Sequence, residues 1–117
     1  MRRERCAYLF DMLNAVDAIH LFVAGLNFES FAEVDLFRSA VERKFEIIGE
    51  ALTQASTLFP GSIDSIPDLR EAINQRNRIA HGYFTVNPRI LWNSIQTDLP
   101  DFRAEVKRLL DETCPSI

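Results

Sequence analysis

Apolar residues recur every three or four positions along nearly the whole of this 117-residue chain, and that spacing most limits what it can become. Leu9, Met12, Leu13, Val16, Ile19, Phe22 and Val23 form one such series, closed by Gly25, which fits a helix stop. It predicts a first helix from about Glu4 to Ala24. Asn27 to Ser30 reads as a connection with at most a short helical turn through Phe31. Phe37, Val41, Phe45, Ile48, Leu52, Ala55 and Phe59 predict a second long helix, about Asp35 to Leu58, with Gly49 tolerated inside it. Pro60-Gly61-Ser62 marks a turn. Ser65 with Asp68, and Pro67 between them, resemble the start of a third helix running to His81 and stopped by Gly82.

Asn87-Pro88 then caps a last helix. Leu91, Ile95, Leu99, Phe102, Val106 and Leu109 keep one face across Pro100, where a proline must disturb the hydrogen-bond ladder. Strand alternation and hairpin turns are absent from the sequence. The expectation is an all-α, antiparallel bundle of four to five helices in a single domain spanning residues 1–117, its last helix kinked near Pro100. The phenylalanines at helical spacing (Phe10, Phe22, Phe37, Phe45 and Phe102) are assigned to its core, and His20 to an ordinary place on the first helix.

Charge narrows the function classes. The chain carries a net −4, which does not suit a nonspecific nucleic-acid binder. Yet residues 70–89 hold Arg70, Arg76, Arg78 and Arg89 against Glu71 alone, a local +3, and the remainder is −7. Cys6 and Cys114 lie far apart in sequence with no CxxC, so no zinc site is expected and both are read as free thiols in a reducing compartment. Uninterrupted apolar runs are short and no secretory signal is evident. The expected location is the cytoplasm, with no membrane association.

Within the basic segment, Arg76-Asn77-Arg78-Ile79-Ala80-His81-Gly82-Tyr83 breaks the bundle pattern. On a helical wheel with Leu69 at zero, Ile73 falls near +40°, Ala80 near +20° and Arg76 near −20°, at about 100° per residue. Arg76 thus sits within an apolar stripe, where an unpaired guanidinium is costly. Arg and His near a helix end can simply complement its dipole. The same side chains can also serve a phosphate. An imidazole moves protons near neutral pH, and a guanidinium binds phosphate oxygens through paired N–H groups. Metal-free RNA cleavage needs that combination, with no cofactor.

These residues also resemble a known family. Arg76-x4-His81-x-Tyr83, with Asn77 after the arginine, is similar to the R-x4-H-x-Y motif of HepT-like toxins in the HEPN ribonuclease superfamily. The stretches FEIIGEA (Phe45–Ala51), RNRIAHGYF (Arg76–Phe84) and TDLPDF (Thr97–Phe102) look characteristic of it too. The resemblance implies a HEPN bundle that forms a homodimer, with two motif segments building one shared cleft across the two-fold axis. It implies a metal-independent endoribonuclease acting on RNA, tRNA being a known substrate class. Arg76, Asn77 and His81 would be catalytic; Arg70, Arg78 and Arg89, chosen for their charge rather than from the motif, are the expected RNA contacts. The implied partner is an MNT-type nucleotidyltransferase antitoxin, which transfers AMP to the motif tyrosine, Tyr83, in a type VII toxin–antitoxin system. The competing expectation is a non-catalytic subunit whose motif only docks a nucleotide or the nucleotidyltransferase.

Overall fold

The computed structural model describes residues 2–67, 69 and 87–114. Helix α1 spans Arg2–Val23. It ends where Gly25 adopts a φ of 80°, a left-handed turn that favours glycine, and the Leu26 N–H reaches back 2.9 Å to the Val23 carbonyl. The expected connection after it contains a full helix, α2 (Phe28–Glu33). Its start is a reciprocal cap. The Ser30 N–H donates to Asn27 Oδ1 at 2.8 Å, and the Asn27 N–H donates to Ser30 Oγ at 3.0 Å. Asn27→Ala removes the Oδ1 acceptor of the Ser30 N–H and keeps only the backbone half of the cap, so a loss of about 1 kcal/mol in urea denaturation is expected.

Helix α3 occupies Asp35–Leu58, with the predicted boundaries. The Phe59 N–H closes it on the Ala55 carbonyl, and Gly61 at φ 83° turns the chain away after Pro60. The helix expected from Pro67 to His81, with its stop at Gly82, lies outside the described residues apart from Pro67 and Leu69. Those two are themselves in neither helix nor strand. The Ser65–Asp68 cap is likewise not described in full, because Asp68 falls outside. The Ser65 hydroxyl donates to the Glu105 carboxylate.

The last helical run begins at α4 (Pro88–Asn93), with Asn87 Oδ1 accepting from the Arg89 N–H at 2.9 Å as expected of an N-cap. It passes through a π-helical turn at Ser94–Asp98 into α5 (Leu99–Thr113). That turn is the form taken by the disturbance foreseen at Pro100. Proline offers no N–H to the carbonyl four residues back, and its ring crowds that carbonyl. Widening the turn by one residue lets the Leu99 N–H bond to the Ser94 carbonyl, while Thr97 Oγ1 donates to the Asn93 carbonyl at 2.7 Å. The apolar face stays in register: Leu91, Ile95, Leu99, Phe102 and Val106 are all buried. At the C-terminal end the buried residue is Leu110, with Leu109 only partly covered.

The fold is all-α, with no strand among the described residues. Helix α1 packs mainly along α3 and then along α5. Two cross-links set α1 and α5 antiparallel: Arg103 Nε to Asp17 Oδ1 at 2.7 Å, and Cys6 to Cys114. Leu9, Met12, Val16 and Ile19 of α1 meet Val41, Phe45 and Ile48 of α3 and the face of the last run in one core. Segment Arg5–Val23 is long and apolar enough to cross a bilayer by length and composition. Its core stripe is buried within the protein, and Asp11 and Asp17 stand exposed on the same helix.

Two expectations are corrected here. Phe10 is 50% exposed, because it stands about 100° round the helix from Leu9 and off the buried stripe. Phe22 and Phe37 are half-buried, leaving Phe45 and Phe102 as the members of that set fully in the core. The cysteines are not two free thiols: Cys6 and Cys114 form a disulfide, with Cα atoms 5.9 Å apart. Antiparallel packing of α1 on α5 brings the start of one helix beside the end of the other. The separation of 108 residues hides that proximity from the sequence.

Candidate active site

Six of the seven residues expected at the site, Arg70, Arg76, Asn77, Arg78, His81 and Tyr83, lie outside the described residues; Arg89 lies within them. What is described is the frame that holds their segment at both ends. On the N-terminal side, Phe59 to Ile66 form a turn. The Ser62 N–H bonds to the Phe59 carbonyl and the Ile66 N–H to the Ile63 carbonyl, each at 3.0 Å. Leu69, just beyond, is buried with the core. Ser65 ties the turn to α5 through Glu105, whose carboxylate also accepts from Arg108 Nε at 2.9 Å.

The Arg108 hydrogen bonds, and then the Ser65 hydroxyl, hold the Glu105 carboxyl down at about 2. A carboxylate with a depressed pKa favours the folded state above its unfolded value of about 4.3 and loses that contribution as pH falls toward 2. The tether is therefore intact throughout the range in which a histidine would titrate. On the C-terminal side the segment ends at Asn87, the cap of α4. The chain length alone keeps the Tyr83 Cα within about 14 Å of the Asn87 Cα.

Two of the three stretches carrying the family resemblance serve this frame. In FEIIGEA, Phe45, Ile48 and Ala51 are buried, while Arg43 pairs with Glu46 at 3.0 Å and approaches Glu50 at 3.8 Å. In TDLPDF, Thr97 and Asp98 belong to the π turn, and Leu99 and Phe102 to the core face that follows it. The third, Arg76–Phe84, lies outside the described residues.

Arg89 sits in the first turn of α4 with its guanidinium carbon 3.5 Å from the centroid of the Phe28 ring. Phe28 meets Trp92 edge-on, with centroids 6.3 Å apart, and Trp92 leans on the buried Phe31 at 5.4 Å. Sequence reading placed Phe28 in a connection and gave Trp92 no role. The available signal was two i,i+3 pairs, Phe28/Phe31 and Arg89/Trp92, each just after an asparagine cap. Among the described residues no group of three metal-ligating side chains converges.

The family model described as "Ribonuclease HepT-like" matches residues 12–109, most of the chain. The chain belongs to the HepT-like ribonuclease family. The "Probable ribonuclease HepT" of Thermococcus cleftensis is 33% identical over 109 residues, covering 93% of this chain and 98% of that protein. A protein of Caldanaerobacter subterraneus, provisionally named an RNase, is 31% identical over 105 residues, covering 90% of this chain and 93% of its own length. A Methanocaldococcus jannaschii protein named in the same way is 29% identical over 106 residues, covering 91% and 96%. No solved structure matches. This HepT-like chain thus aligns with its relatives nearly end to end, including the helices that frame the motif.

Proposed function

We propose that this HepT-like protein is the toxin of a type VII toxin–antitoxin pair, a metal-independent endoribonuclease that works as a homodimer in the cytoplasm. The observation that carries the reading is the unbroken Arg76-x4-His81-x-Tyr83 pattern inside a chain whose family membership runs across residues 12–109. The RNA 2′-hydroxyl attacks the adjacent phosphorus, and His81 takes its proton. Arg76 stabilises the charge that builds on the phosphate oxygens, and Asn77 orients the imidazole or the phosphate. The 5′-oxygen leaves and takes up a proton, from the imidazolium or from water, giving a 2′,3′-cyclic phosphate on one fragment and a 5′-hydroxyl on the other. Two copies of the +3 segment place a local +6 beside the scissile phosphate while the rest of the surface stays acidic. A homodimer also gives Arg76 a wet, symmetric interface in place of a core.

The proposed control is AMP transfer to Tyr83 by a nucleotidyltransferase antitoxin. The phenol oxygen attacks the α-phosphorus of ATP, pyrophosphate leaves, and the AMP now joined to Tyr83 puts a bulky anion into the cationic cleft, where it competes with RNA for the same arginines. Expressed alone, the protein is expected to arrest growth. Coexpressed with the nucleotidyltransferase, it is expected to carry AMP on Tyr83 by mass spectrometry and to be harmless. Harmless expression of unmodified protein with no nuclease activity overturns the reading.

A further inference from the structure

We propose that the Arg89–Phe28 stack is a landing site for an unpaired base of the RNA substrate, a reading that rests on the ribonuclease function above. Four other arginines among the described residues are held by acids: Arg38 by Asp35, Arg43 by Glu46, Arg103 by Asp17 and Arg108 by Glu105 and Glu112. Arg89 has no ion pair among the described residues. It is exposed, with its guanidinium carbon over the Phe28 ring. The ring thus backs the guanidinium while the side chain as a whole stays exposed. A guanidinium plane held this way can accept a nucleobase, as RNA-binding proteins use arginine planes and aromatic rings.

The stack is also backed by the core. Behind Phe28 the aromatic ladder runs through Trp92 to Phe31, which is fully buried. The two helices that bring the partners together are each fixed by an asparagine cap, Asn27 on α2 and Asn87 on α4. Little side-chain freedom is left to lose when a base binds. Glu29, beside Phe28 on α2, makes the spot a poor general phosphate sink and favours stacking over a backbone contact. Position in the chain links the stack to the motif. Arg89 follows Tyr83 by six residues and His81 by eight, which puts its Cα within about 22 Å and about 29 Å of theirs, within the span of a short RNA strand.

The test uses full-length protein and a fluorescently labelled single-stranded RNA that the wild type cleaves. Affinity is read by anisotropy in a His81→Ala background, and KM and kcat are read in the otherwise wild-type enzyme. Arg89→Ala is expected to weaken binding and raise KM by about tenfold with kcat little changed, the size of one lost base stack. Arg89→Lys keeps the charge without the plane and should behave like Arg89→Ala. Phe28→Leu keeps apolar cover for Trp92 and should lose affinity in the same direction. The same substitutions should leave binding of a fully paired RNA unchanged. An active enzyme whose affinity for single-stranded RNA is unmoved by Arg89→Ala, or is restored by Arg89→Lys, overturns the stack alone. A wild type that neither binds nor cleaves RNA overturns the ribonuclease reading with it.

Discussion

Replacing His81 with alanine is expected to slow RNA cleavage by about 10²–10⁴-fold, the usual contribution of a positioned general acid or base. Arg76→Ala is expected to cost about 10²–10³-fold, in the range of a lost preorganised donor to a charge that develops at the transition state. The double variant should be little worse than the more damaging single one, because the two groups act on one step. The described core is built from other residues, Leu9, Met12, Phe45, Ile48 and Phe102 among them. Both variants are therefore expected to keep wild-type helical circular dichroism. Unchanged single-turnover rates in either variant would remove that residue from the chemistry.

The second large effect concerns the disulfide. Cys6 and Cys114 close a loop of 108 residues between α1 and the end of α5, and a bridge across about 100 residues restricts the unfolded chain by roughly 4–5 kcal/mol. Reduction, or the Cys6→Ser/Cys114→Ser pair, is expected to lower the thermal midpoint by about 10–20 °C. The fold should survive at room temperature, since the apolar core that joins α1, α3 and α5 does not depend on sulfur. Non-reducing mass spectrometry of protein alkylated during lysis would report the state of the bond in the cell. Two alkylated thiols, together with a midpoint unaffected by reductant, would contradict the bridge.

The helices were legible because their causes are local. Asp35–Leu58 follows from an unbroken three-and-four spacing, and Asn87 with Pro88 announces α4 through residues that act within one turn. Pro100 told of a disturbance but not its form, since a kink, a break and a π turn all relieve the same missing N–H. Helix α2 was compressed into a connection because six residues give too short a period to recognise, although its Asn27–Ser30 cap was present in the sequence. Phe10 was misassigned because composition ranks any phenylalanine as core, whereas its angle on the wheel sets it aside.

Long-range pairings were the least legible. The disulfide, the Ser65–Glu105 tether and the Arg89–Phe28 stack each join residues far apart in sequence that only helix packing brings together. The site divides in the same way. The motif at Arg76, Asn77, His81 and Tyr83 is read from spacing and family resemblance, and these residues lie outside the described part of the fold. Arg89 was selected for its charge alone. Its aromatic support is a matter of tertiary placement.

The central claim is that this chain cuts RNA by its own side chains. The most direct measurement is incubation of the purified, unmodified protein with defined tRNA in excess chelator, followed by analysis of the fragment ends, with His81→Ala in parallel. Discrete fragments ending in 2′,3′-cyclic phosphate, absent with His81→Ala, are the predicted result. Intact RNA in both reactions, or identical cleavage by both proteins, would contradict it.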